Sequence, residues 1–195
     1  NSNETVAIDI SATNTSTLAN NTLVGRGDTN KQGLGAVTTG STAGANGVAS
    51  QNITVTGSLG SKSGISVAAG ASAETVAASV NTNTGSTGVS ATAITKAGLT
   101  VAAAGTVTFT LTGSGSQAIS ATLSASTNLT ALRDAINGST GTTGVTATGT
   151  GTTLTLPQAD GKDIQIEGAA HDAIAANSTV ATIQDFKSDG TSDGT

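Results

Sequence analysis

Ala71–Thr92 reads ASAETVAASVNTNTGSTGVSAT, and Thr127–Thr148, 56 residues further on, reads TNLTALRDAINGSTGTTGVTAT. Each stretch has the pattern of a short helix, a polar turn and the start of a strand. In the first, Ser72 offers an oxygen to the free amides of a helix start. Ala73, Val76, Ala77 and Val80 then fall at i, i+3, i+4 and i+7, one apolar stripe, until Asn81 and Gly85 stop it. In the second, Thr127 or Asn128 is the expected cap and Leu129, Leu132, Arg133 and Ile136 repeat the stripe, with Asn137-Gly138 as its stop. Arg133 stands where Ala77 stood, a position for a packed stem and a solvated head. Helices this short melt in isolation because nucleation is costly, so both must be held against a sheet.

The 56-residue shift runs without a gap from Ile53 to Thr92, a signature of internal duplication. Asn81, Thr84, Gly85, Thr87, Gly88, Val89, Ala91 and Thr92 recur as Asn137, Thr140, Gly141, Thr143, Gly144, Val145, Ala147 and Thr148. Thr54, Thr56, Gly57 and Ser58 recur as Thr110, Thr112, Gly113 and Ser114, and Ile53 and Val55 become Phe109 and Leu111. Strands are expected at Ile53–Val55, Gly64–Ala68, Val89–Ile94 and Leu99–Val101 in the first unit. In the second they are expected at Thr106–Thr112, at Ile119, Ala121 and Leu123, at Val145–Thr148 and at Thr153–Leu156. Pro157, the only proline, suits a sheet edge. Asp160-Gly161 reads as a hairpin turn into a strand Asp163–Glu167, with Ile164 and Ile166 inward.

Outside the duplication, Glu4–Ser11 alternates as a half-buried strand carrying Val6, Ile8 and Ile10. Residues 12–50 are rich in Asn, Thr, Ser and Gly, and short strands with turns or a long surface loop fit them equally. After Ala169 the chain turns polar, with a last apolar alternation at Val180 and Ile183 and a linker-like tail Ser188–Thr195. The expected organisation is an N-terminal strand and polar loop region over 1–52, a first repeat over 53–106, a second over 107–169, and a return segment with a flexible tail over 170–195. The fold class is α+β, mostly β: antiparallel sheets with two short helices in a duplicated β-β-α-β-β unit.

Val, Ile, Leu and Phe make up only 37 of 195 residues, at the edge of what disordered chains contain. A charged fraction of 10% and a net charge of −5 keep self-repulsion weak, and abundant β-branched Thr suits a pleated surface. Thin cores of small aliphatics follow. With no Trp or Tyr and only Phe109 and Phe186, base-stacking platforms and aromatic anchors are missing. Seven scattered basic residues and a pI near 4.5 argue against nucleic acid. There is no cysteine, hence no disulfide framework and no thiolate metal site. No apolar run approaches a membrane span, and the N-terminus has no signal-peptide pattern, which says little for a segment internal to a longer chain.

Catalysis finds little support. His171 is the only histidine and reads as a surface or turn residue, while Lys62 and Lys96 have no motif around them. Seven of the twelve acids, Asp160, Asp163, Glu167, Asp172, Asp185, Asp189 and Asp193, lie after residue 159. They lack calcium-loop spacing and read as solvated turn acids. Arg26-Gly27-Asp28 spells an integrin tripeptide in a Gly-flanked loop, a match that chance favours. Sequons at Asn3, Asn14, Asn20, Asn52, Asn128, Asn137 and Asn177 follow from the composition, and Gly33-Leu34-Gly35 lacks the lysine of a phosphate loop. No catalytic, cofactor-binding or metal residue is assigned.

A short Ala-rich helix, an Asn, a Thr/Gly turn and T-G-V-[ST]-A-T together resemble the insertion motif of bacterial flagellins and hook-associated proteins. Here the motif stands as Val80-Asn81 with Thr87–Thr92, and as Ile136-Asn137 with Thr143–Thr148. The opening NSNETVAIDI is similar to the point where a flagellin leaves its filament core, and Val180–Phe186 to the point of return. The filament-forming terminal helices of that family are not in this sequence, nor is the core surface that innate immune receptors read. The resemblance therefore implies the central outer, variable region of a flagellin: non-enzymatic, extracellular, secreted, decorating the filament and contributing to motility. It implies other flagellin subunits as partners, with host receptors or antibodies meeting the exposed surface, and Val6–Ile10 lying close to Val180–Phe186. The alternatives are a hook-associated or filament-cap domain, or a bacterial adhesin module that binds host surface or glycan.

Overall fold

The computed structural model describes residues 35–185. The expected strand at Val6–Ile10 and its approach to Val180–Phe186, the tripeptide Arg26-Gly27-Asp28, the sequons at Asn3, Asn14 and Asn20, and the tail Ser188–Thr195 lie outside them.

In chain order the elements are β1 (Gly35–Thr38), β2 (Gln51–Gly57), β3 (Gly60–Val67), α1 (Ala73–Asn81), α2 (Thr84–Thr87), β4 (Thr95–Val101), β5 (Gly105–Thr112), β6 (Ser116–Leu123), α3 (Thr130–Gly138), α4 (Thr140–Thr143), β7 (Leu154–Gln158), β8 (Gln165–His171) and β9 (Thr179–Asp185). The protein is mostly β with antiparallel sheets and short helices, as the alternating Thr-rich runs require. Within the ambiguous stretch 12–50, the described part is one short strand followed by an irregular segment over 39–50.

Three sheets form. β2 and β3 make a hairpin, β6-β5-β8 a three-stranded sheet, and β1-β9-β4-β7 a four-stranded one. The third sheet joins the two repeats: β4, the last strand of the first unit, pairs antiparallel with β7, the last of the second, at Leu99↔Leu154 and Ala97↔Leu156. β9 pairs on the other side of β4 and carries β1 outside it. Pro157 sits in β7 at the sheet edge, where its carbonyl accepts the Thr146 amide at 3.1 Å.

The main core is one cluster. It joins Val107, Phe109 and Leu111 of β5, Ile119, Ala121 and Leu123 of β6, and Leu132 and Ile136 of α3 to Leu99, Leu154, Leu156, Val180 and Ile183 of the four-stranded sheet. The hairpin and helix of the first unit stand beside it as a satellite. Ile65, Val67 and Val80 are buried, but Val76 and Ala77 of the α1 stripe are only half-buried and Ala73 is exposed. α1 packs on β3 as α3 packs on β6, so both helices cover equivalent strands, the second with larger side chains.

Several expectations are corrected. The polar turn after each helix is itself a one-turn helix, so Gly85 lies within α2 and Gly138 ends α3; the left-handed stops are Gly88 (φ 72°) and Gly144 (φ 68°). Val89–Ile94 is not a strand, and Val145–Thr148 makes only isolated bridges, Val145↔Gln158 and Thr148↔Thr155. Asn81 and Asn137 take the backbone groups of Ala91 and Ala147 that a second strand would use, while Thr146 and Thr148 bond the edge of β7. α3 is not capped by Thr127 or Asn128: its N-cap is Leu129, although Asn128 Oδ1 accepts the Thr130 amide at 3.2 Å. Asp160-Gly161 does turn the chain, but not into a hairpin. β7 pairs with β4 and β8 with β5, so the turn hands the chain from one sheet to another. Gln158 fixes that turn by accepting the amides of Asp160 (2.8 Å) and Lys162 (3.1 Å) at its Oε1.

Candidate functional site

The repeated residues meet in one constellation per unit. Asn81, the last residue of α1, and Asn137, the last but one of α3, each bond the extended segment ten residues later. Asn137 Nδ2 donates to the Ala147 carbonyl at 3.0 Å, and the Ala147 amide donates to Asn137 Oδ1 at 2.7 Å. Asn81 does the same to Ala91, at 2.9 and 2.7 Å. A carboxamide has one acceptor and one donor side, the same pair that a backbone peptide presents, so it stands in for a strand.

The threonines complete it. Thr84 Oγ1 donates to the Val89 carbonyl at 2.8 Å, and Thr140 Oγ1 to that of Val145 at 2.9 Å. Thr87 and Thr143 are fully buried. Each donates its hydroxyl back to the carbonyl of residue 83 or 139 and accepts the amide of Val89 or Val145. A buried hydroxyl is tolerated because both its donor and its acceptor roles are filled.

The same turn grips the hairpin below. Thr87 O accepts the Leu59 amide at 3.2 Å and Thr143 O the Ser114 amide at 2.7 Å. A Cβ on Gly57 or Gly113 would overlap those carbonyls, so glycine at both hairpin turns is a packing requirement. The second unit adds Gln158, fully buried, whose Nε2 donates to Ser114 Oγ at 3.2 Å. Its type did not mark it beforehand, because an isolated Gln in a polar sequence gives no signal.

The residues weighed for chemistry are dispersed. His171 is not at the surface. Its side chain is fully buried, Nδ1 accepts the Ala173 amide at 3.1 Å, and Nε2 faces the Ala103 carbonyl at 3.2 Å. Those partners suit Nδ1 as the acceptor and Nε2 as the donor, and the ring closes the end of β8. Asp172 Oδ1 accepts the Thr106 amide at 2.9 Å, and that bond holds its carboxyl below the ordinary carboxylate value. Gly105 (φ 129°) has no room for a Cβ against Asp172 and His171.

Asp134, Asp160, Asp163 and Glu167 also bind backbone or neighbouring side chains rather than one another. Asp163 Oδ2 accepts from Asn46 Nδ2 at 2.9 Å, and Glu167 Oε1 from the Ala43 amide at 3.1 Å, so they moor segment 39–50. Arg133 pairs with Asp134 at 2.6 Å. Among the described residues no three His, Asp or Glu side chains converge on a metal position, and no helix is long and apolar enough to cross a membrane. A shallow groove of about 370 Å3 between β6 and α3–α4 is lined by residues such as Gln117, Ser120, Ser139 and Thr142, none of them titratable.

Two copies of a helix–turn unit, each fastened to a hairpin by its own Asn, Thr and Gly, define a structural repeat domain. The flagellin hook IN motif matches residues 52–105 and again 106–160. That is more than half of the chain, and the chain belongs to this family. No curated protein matches it. The match bears out the resemblance to a flagellin outer region, and it makes the protein a flagellin-related structural domain.

Proposed function

We propose that this chain is the outer domain of a flagellar filament protein, displayed on the filament surface and assembled there with further copies of its own kind. It is secreted with its parent protein, faces solvent, and contributes to motility as part of the filament; antibodies or host receptors meet this surface first. The observation that carries the reading is the paired motif match with the same staple in both copies. The exposed faces of β2, β3 and β6, built from Ser, Thr, Asn and Gln, suit a domain that stays solvated on an extracellular surface.

The test is made in the full-length parent protein in its own cell. Removing residues 52–160 in frame should leave filaments that assemble but are thinner in electron micrographs. Antibodies against the 195-residue chain should decorate intact filaments along their length and lose the deleted ones. Labelling confined to the hook or the filament tip would assign the domain to a hook-associated or cap protein, and labelling of the cell body alone would favour the adhesin reading.

A further inference from the structure

The two hairpins differ in one respect that the duplication makes conspicuous. β5 is paired on both sides, with β6 along its whole length and with β8 at Val107↔His171 and Leu111↔Ile166. β2, its counterpart under the 56-residue shift, is paired among the described residues with β3 alone. Burial follows the pairing. Phe109 and Leu111 are 4% and 0% exposed, whereas the equivalent Ile53 and Val55 are only half-buried, as is Val76 where Leu132 is fully enclosed.

We propose that the outer edge of β2 docks the same edge of a second copy of this chain, antiparallel about a two-fold axis through Thr54, to give a continuous β3-β2-β2-β3 sheet. The inference stands on the sheet edge and the duplication, and it holds whether or not the domain sits on a filament.

Four features select a second copy as the occupant. The first is register. The one alignment that overlaps all of Gln51–Gly57 sets Ile53 against the partner's Val55 on one face. On the other it sets Thr54 against its own counterpart and Asn52 against the partner's Thr56. Each face meets its like, as an isologous contact demands.

The second is charge. Edge strands that must remain single usually carry Lys, Pro or a bulge. β2 carries none of the three: QNITVTG is uncharged, and the irregularity in the hairpin lies on β3, where two residues, Ser63 and Gly64 (φ 72°), oppose Thr54 alone. Lys62 is on β3, away from the open edge.

The third is room: α1 packs over β3, and α2 reaches β2 where Thr87 meets Gly57, at the strand's end. The fourth is need: a two-stranded ribbon is marginal in water, and four strands with a shared apolar face are not.

The chain has no cysteine, which allows a direct test on the 195-residue protein. Residues opposite each other in antiparallel strands have Cα atoms within the span of a disulfide. Thr54→Cys should therefore form a covalent dimer under mild oxidation, while Ser120→Cys, exposed on β6, stays monomeric at the same concentration. Sedimentation of the unaltered chain should show a doubled mass. Thr54→Lys places like charges against each other and should abolish the dimer with the far-UV circular dichroism and thermal midpoint of the monomer retained. A chain that sediments as monomer at all concentrations, equal crosslinking at positions 54 and 120, or a dimer that survives Thr54→Lys would each overturn the proposal. An edge filled by another segment of the same chain would appear as the first of these.

Discussion

Asn137 and Ala147 are joined as two residues of adjacent strands would be, although one of them contributes only its side chain: Nδ2 to carbonyl at 3.0 Å and amide to Oδ1 at 2.7 Å. Asn81 and Ala91 repeat the bond pair in a more exposed setting. Removing a carboxamide that serves a partly buried backbone leaves both groups unsatisfied, at about 1–3 kcal/mol. Asn137→Ala should therefore lower the unfolding free energy by about that amount, and Asn81→Ala by less than about 1 kcal/mol because water replaces the lost partner there. Urea midpoints of the two variants decide it; equal losses would mean that burial does not set the worth of the staple.

The glycines at the hairpin turns make a sharper comparison. Gly113→Ala drives a methyl into the Thr143 carbonyl, which cannot retreat because it also holds the Ser114 amide. We expect a loss of about 1–3 kcal/mol, typical of overpacking against fixed atoms. Gly138→Ala meets open space at the end of α3 and should be neutral or stabilising by up to about 1 kcal/mol. Thermal melts of the pair give the signs directly, and a destabilised Gly138→Ala would contradict the helix end described for α3.

Leu132 and Val76 occupy the same place in the two units but not the same environment. Leu132→Ala empties a fully enclosed site between α3 and β6 and should cost about 2–5 kcal/mol. Val76→Ala, at a half-buried site of α1 against the satellite hairpin, should cost less than about 1.5 kcal/mol. Denaturant titrations followed by circular dichroism would report both.

That asymmetry marks how far the sequence could be read. The helices at Ala73–Asn81 and Thr130–Gly138 and the inward faces of β5 and β6 follow from apolar spacing alone, because the pattern is set by which side chains must leave water. Val89, Ala91, Val145 and Ala147 alternate, which predicts strands after each helix. Periodicity reports which side faces the core; it does not report whether the backbone partner is a strand or the side chain of Asn81 or Asn137. The burial of His171 escapes the sequence for a related reason: it depends on the Ala103 carbonyl and the Ala173 amide, long-range and local partners that composition cannot reveal. The turn at Asp160-Gly161 was visible, but the change of sheet across it rests on Gln158, a lone buried amide with no signature.

Asp172 supplies the pH dependence. Its side chain is 59% exposed, yet the Thr106 amide bonds the charged form and depresses its pKa from the ordinary 3.8. A depressed folded value means that the unfolded chain binds the proton more readily. The contribution to stability is therefore fully present above the unfolded pKa and is lost as pH falls through the folded one. Urea midpoints of the unaltered chain should decline through this acid window more steeply than those of Asp172→Asn, which keeps an oxygen for the Thr106 amide but has no charge to titrate. Near neutrality the variant should lose only a little, since solvent screens the site. Parallel acid limbs for the two proteins would show that the Thr106 bond does not discriminate between the protonated and ionised carboxyl, and that acid sensitivity arises at other carboxylates.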